Sequence, residues 1–116
     1  MSKPHKKLIA WQKSMDLVVS IYDVTRCFSK EETYGLSSQL RRAAVSVPSN
    51  IAEGAADRSK DVFRNYLSIA IGSLNEINTQ LELAQRVGYI GTGRHDSIQA
   101  TVDECLALTY GLRRSL

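Results

Sequence analysis

Apolar residues recur along the chain at spacings of three and four, with almost none of the strict alternation that marks a strand, and only two prolines interrupt the rhythm. The pattern predicts four helices, over about residues 10–28, 36–53, 60–87 and 94–116, preceded by a basic arm over residues 1–8. The first helix carries two stripes. Trp11, Met15, Val18, Tyr22 and Thr25 form one, and Leu17, Ile21, Val24 and Phe28 the other, which is wider than a single neighbour needs. The second places Leu40, Ala43 or Ala44, Val47 and Ile51 in phase across Pro48, so a kinked helix continuing to Glu53, with Gly54 as its stop, is expected.

Ser59 is placed to cap the third helix, and Asp61 suits the positive end of its dipole. Phe63, Leu67, Ala70, Leu74, Ile77, Leu81 and Ala84 then give the seam of a bundle over ~40 Å, ended by Gly88. Ile98, Val102, Cys105, Thr109, Leu112 and Leu116 repeat the rhythm in the fourth. Short connections favour antiparallel neighbours, so the expected fold is all-α, an up-down-up-down four-helix bundle forming one domain over residues 1–116. Leu106 and Leu108 of the fourth helix fall outside its seam. With the double stripe of the first, they predict apolar surface facing another subunit and hence a homo-oligomer.

Composition narrows the function classes without choosing among them. A net charge of +3 is far weaker than the clustered field of a dedicated DNA-binding domain. It is uneven, since Lys3, Lys6, Lys7 and Lys13 all precede the first acid, Asp16. Cys27 and Cys105 form no CxxC pair and read as small buried residues of a reducing cytoplasm. No apolar run approaches a signal-peptide core or a membrane span, so a cytoplasmic protein without membrane association is expected.

Catalytic signatures are missing. Only His5 and His95 occur, and neither completes the Glu-x-x-His pattern of a bundle metal centre. The cysteines have no base at helical spacing, and Gly91-Thr92-Gly93 lacks the third glycine and the lysine of a phosphate loop. No metal, cofactor, catalytic residue or small-molecule substrate is therefore expected, and the chain reads as a non-enzyme.

The informative constellation is polar. Gln39, Arg42, Ser46, Ser49 or Asn50, and Glu53 recur on the second helix at spacings of three and four, and Tyr66, Ser73, Glu76 and Gln80 do likewise on the third. Were these helices an antiparallel hairpin about residue 57, partner numbers would sum to roughly 114, bringing Arg42 near Ser73 and Glu76, and Glu53 near Arg64. One reading is a structural network that fixes register, with Ala70 and Gly72 permitting close helix approach. The other is functional. Arg41, Arg42 and Arg58 would contact phosphates together with Lys3, Lys6 and Lys7 of the arm, arginine being suited to two-pronged anion recognition.

The words of the second helix also carry a resemblance. Tyr34-Gly35-Leu36, followed by the run Gln39-Leu40-Arg41-Arg42-Ala43-Ala44-Val45-Ser46-Val47-Pro48-Ser49-Asn50-Ile51-Ala52-Glu53-Gly54, resembles the hallmark of the four-helix bundle proteins encoded in intervening sequences of bacterial 23S ribosomal RNA genes. Trp11, Met15, Arg58, Tyr66, Ile69-Ala70, Gly72-Ser73-Leu74, Glu76 and Thr79-Gln80-Leu81 follow in the family's order, so the resemblance spans about residues 8–90. It implies a ring-like homopentamer without enzymatic activity, similar in fold to the accessory proteins of diversity-generating retroelements, which bind a reverse transcriptase and nucleic acid. Two positions depart from the pattern: Ser29 stands where a proline is common, and Asn78 where a glutamate is usual.

Two function classes follow. The leading expectation is a homo-oligomeric bundle that associates with structured RNA or a nucleoprotein partner through the six basic residues named above. The alternative is an adaptor or scaffold that holds a partner polypeptide and has no role with nucleic acid.

Overall fold

The computed structural model describes residues 3–116, so Met1 and Ser2 of the expected arm lie outside the described residues. Four helices account for most of them: α1 (Ile9–Thr25), α2 (Leu36–Ala55), α3 (Lys60–Arg86) and α4 (Thr92–Ser115). Two short 3-10 turns, Pro4–Lys7 and Lys30–Glu32, precede α1 and α2, and no strand occurs among the described residues. Each helix packs on its chain neighbours and α1 also packs on α4, closing a compact all-α body of 44 × 23 × 23 Å.

The core is the set of apolar seams. Leu17 and Ile21 of α1, Leu40, Val47 and Ile51 of α2, Leu67, Leu74, Ile77 and Leu81 of α3, and Val102 and Cys105 of α4 are all fully buried. Each such side chain contributes roughly 1.5–3 kcal/mol by leaving water. Hydroxyls that share the interior satisfy themselves on the preceding turn: Thr109 donates to the Cys105 carbonyl at 2.7 Å and Thr25 to that of Ile21 at 2.6 Å.

Local chemistry sets the helix ends. Ser59 Oγ accepts the Val62 N–H at 3.3 Å, capping α3, and Gly88 ends it with φ +88, a conformation that a side chain would resist. The α2 N-terminus is closed by Glu32, whose Oε1 accepts the Leu36 N–H at 2.9 Å. Its other oxygen, Oε2, accepts the Tyr89 hydroxyl at 3.0 Å, tying the α1–α2 connection to the α3–α4 connection. Phe28 packs on the same tyrosine with ring centroids 5.2 Å apart.

Several expectations shift in the structure. Pro48 is buried within an uninterrupted α2, which runs past Glu53 to Ala55. Gly54 is therefore inside the helix rather than its stop. Its role is packing, because a Cβ there would stand 2.8 Å from both Phe63 Cδ1 and Tyr66 Cβ. Gly72 has the opposite property: it is exposed and no atom of another helix lies within 4 Å of where its Cβ would be, so it does not bring helices of this chain together. Helix α1 ends at Thr25, leaving Cys27 exposed in the turn beyond while Phe28 takes the buried place; only Cys105 is a core thiol. Helix α4 begins at Thr92, two residues earlier than expected, and in its first turn His95 Nδ1 lies 3.0 Å from the Asp96 carboxylate.

Candidate functional site

Two places on the surface gather the polar side chains that the sequence singles out. The first is the α2–α3 face. Ser46 Oγ and Ser73 Oγ are hydrogen-bonded at 2.9 Å, and Asn50 Nδ2 donates to both the carbonyl and the hydroxyl of Ser46, at 2.8 and 2.9 Å. With Gly54 against Phe63 and Tyr66, these contacts make partner numbers sum to about 119 rather than 114. The interlock at Gly54, where backbone and ring approach closely, fixes the pairing, and the midpoint of the connection does not. Ser73 consequently meets Ser46 and not Arg42. Arg42, which opens onto the α1 side of α2, forms no ion pair with Glu76, and Glu53 is exposed without an ion pair among the described residues. Arg64 instead bonds Asp61 and the Leu116 carbonyl.

Gln39, Glu76 and Gln80 line one shallow groove with Gly72, Asn75, Thr79 and Leu83. Gln80 is 9% exposed, and its Oε1 is buried with no hydrogen-bond partner among the described residues. An unsatisfied buried carbonyl oxygen costs about 1–3 kcal/mol, so this groove holds an unmet acceptor.

The second place lies between the end of α1 and the first half of α2. Arg41 donates from Nε to Thr25 Oγ1 at 2.8 Å, and its guanidinium carbon lies 4.6 Å from the centre of the Tyr22 ring. Arg42, Arg26 and Lys30 open onto the same cleft of about 580 Å³, together with hydroxyls from Ser29, Thr33, Ser37 and Ser38. No Asp or Glu lines it.

The six basic residues expected to act together fall into two sets. Lys3, Lys6 and Lys7 are exposed around the Pro4–Lys7 turn, just before the start of α1, where Gln12 Nε2 holds the Lys6 carbonyl at 2.9 Å and the His5 ring packs on Trp11. Arg41 and Arg42 lie at the other end of α1, ~24 Å away along the helix axis. Arg58 is exposed in the turn after α2, the helix on which the Pro4–Lys7 turn packs, and so belongs with the lysines. Among the described residues none of the six forms an ion pair. Arg26 and Lys30 were not singled out by the sequence. The signal available was their position at the end of the first helix, which only becomes informative once that end is known to face Arg41.

The departures from the family pattern have local partners. Asn78 Oδ1 accepts from Gln99 Nε2 of α4, so the position is used within the chain. Ser29 Oγ accepts the Glu31 N–H at 3.3 Å, stabilising the turn that carries Lys30. Tyr34 of the opening motif is exposed.

Comparison with known proteins decides the family. The family model of the 23S rRNA-intervening sequence protein matches residues 6–111. The chain belongs to this family. A crystal structure of a protein of unknown function from the S23 ribosomal protein family of Bacteroides thetaiotaomicron is similar to it, with a TM-score of 0.84 and 27% identity over 90% of this chain and 98% of that one. No curated protein matches. The match extends beyond the second and third helices into α4, where the sequence pattern had offered only periodicity.

Proposed function

We propose that the protein is a non-enzymatic, homo-oligomeric bundle, a pentamer of up-down-up-down subunits, that associates with structured RNA or a nucleoprotein partner in the cytoplasm. The observation that carries the nucleic-acid part is the pair of cation sets, Lys3, Lys6, Lys7 with Arg58, and Arg41 with Arg42, all solvent-facing or half-buried and none neutralised by a carboxylate of the described chain. Phosphate contacts of this kind need charge and reach more than base-reading aromatics.

Self-association is supported by what the single chain leaves uncovered. Ile9, Met15 and Val19 of α1 and Val45 of α2 are exposed, and Trp11, Met15, Val18, Val45 and Pro48 line an apolar groove between the two helices. On α3, Ile69 and Leu83 are exposed and the Gln80 acceptor lacks a partner. A neighbouring subunit would cover the first and could satisfy the second. The antiparallel order of the helices is supported by near-constant sums of contacting numbers, as in Gln99 with Asn78 and Arg64 with Leu116. The free state of both cysteines is in keeping with a reducing compartment.

Absolute mass by light scattering, with and without ribosomal RNA fragments at low and moderate salt, tests the reading. Five chains of 12.9 kDa give ~65 kDa. A monomer sinks the assembly. An RNA-dependent shift that weakens as salt rises supports phosphate contact, and its absence turns the reading toward a protein-binding adaptor.

A further inference from the structure

The α1–α2 cleft has properties that a loosely basic surface lacks. Arg41 is half-buried and held in one place by two contacts, the bond from Nε to Thr25 Oγ1 at 2.8 Å and the stack on Tyr22. Both use the Nε edge and the flat face of the guanidinium. The two Nη groups find no hydrogen-bond partner among the described residues. A guanidinium fixed in this way presents its remaining N–H groups as a prearranged fork, the geometry that takes two oxygens of one phosphate.

No carboxylate lines the cleft, that of Glu31 beside Lys30 included, and two nearby acids are engaged elsewhere. Asp23 pairs with Arg26 from within α1, and both carboxylate oxygens of Glu32 are turned to the Leu36 N–H and the Tyr89 hydroxyl. Arg42 and Lys30 add two further cations to the rim, and neither is paired. The cleft, about 580 Å³, falls within the roughly 300–1,000 Å³ of sites that enclose a small ligand. Three unpaired cations with no lining carboxylate match a doubly charged group better than the single charge of a diester linkage.

We propose that this cleft binds a terminal phosphate monoester, borne on an RNA 5′ end or on a free nucleotide, with Arg41 as the fixed fork and Arg42 and Lys30 completing the charge. The proposal deepens the reading of Arg41 and Arg42 as phosphate contacts, and it rests on that reading only for the sign of the ligand. The serine and threonine hydroxyls along the wall supply donors for the remaining oxygens.

The test compares fluorescently labelled short oligoribonucleotides carrying either a 5′-phosphate or a 5′-hydroxyl, by anisotropy on the intact protein, with AMP, adenosine and inorganic phosphate as competitors. At least tenfold tighter binding of the 5′-phosphorylated strand is expected, lost in R41Q and weakened in R42Q. Because Arg42 is exposed, R42Q keeps the test decisive if R41Q fails to fold. Competition by AMP but not adenosine identifies the free nucleotide as a sufficient ligand, and competition by neither places the site's ligand at an RNA end. Equal binding of the two strands overturns the cleft proposal while leaving RNA association standing. Binding of AMP, read directly by calorimetry, without binding of either strand removes RNA association and keeps the cleft. Phosphate discrimination that survives R41Q and R42Q also overturns the assignment.

Discussion

Thr25 and Arg41, 16 residues apart, are joined by a hydrogen bond of 2.8 Å in which the arginine Nε–H is donated to the threonine hydroxyl, while that hydroxyl donates onward to the Ile21 carbonyl at 2.6 Å. The buried end of α1 thus positions the one guanidinium whose orientation the cleft depends on. Replacing Thr25 by valine keeps the volume and removes the acceptor. A loss of about 0.5–1.5 kcal/mol in urea unfolding is expected, because the half-buried Arg41 can turn to water rather than stay unsatisfied. Phosphate affinity should fall with it, and unchanged affinity would show that Thr25 does not orient Arg41.

Gly54→Ala sets two effects against each other. Alanine favours a helix interior by ~1 kcal/mol over glycine. Its Cβ would meet Tyr66 Cβ and Phe63 Cδ1 at 2.8 Å, and the first of these cannot swing away without moving α3. Overpacking costs about 1–3 kcal/mol, so a net fall in Tm is expected by calorimetry. A rise would mean that α2 and α3 part at little cost.

The Ser46–Ser73 bond can be measured by a double-mutant cycle with alanine at each position. Coupling of about 0.5–1.5 kcal/mol is expected from urea titrations. Asn50→Ala should lower the coupling, since its amide holds the Ser46 hydroxyl at 2.9 Å. Coupling near zero would mean that the two hydroxyls prefer water.

The two thiols should separate in reactivity and in pH dependence. Cys27 is exposed and should take one alkylating label per native chain at mildly alkaline pH, with Cys105 labelled only on unfolding, as mass spectrometry would read. Burial, aided by the charges of Glu104 and Asp16 and opposed by Lys13, pushes the Cys105 thiol up from 9.0 to about 11. The unfolded chain releases this proton first, so it binds fewer protons between the two values and stability falls as pH rises through that window. Other groups titrate there too, so the difference between wild type and Cys105→Ala carries the prediction. A pH-independent difference would contradict it.

Which helices form, and which of their faces are buried, was legible in the chain. The seams Leu40, Val47, Ile51 and Leu67, Leu74, Ile77, Leu81 are fully buried, because a period of three and four residues leaves only one way for a helix to hide its apolar atoms. Ser59 and Gly88 likewise mark the ends of α3, since capping and left-handed backbone depend on a few adjacent residues. The family was legible too, from the unbroken run along α2.

The composition of the site was not. That Arg26 and Lys30 join Arg41 and Arg42, that the arm's lysines lie at the opposite end of α1, and that Ser73 meets Ser46 instead of Arg42 are all relations between helices. They depend on how far one helix slides along another, which is settled by contacts such as Gly54 against Tyr66. Periodicity assigns a residue to a face, and face alone carries no information about slide. The sequence by itself therefore determined the helices, their buried stripes and the family, while the tertiary structure decided which charges stand together and which carboxylates are occupied elsewhere, because charge neutralisation acts over a few ångströms between elements distant in the chain.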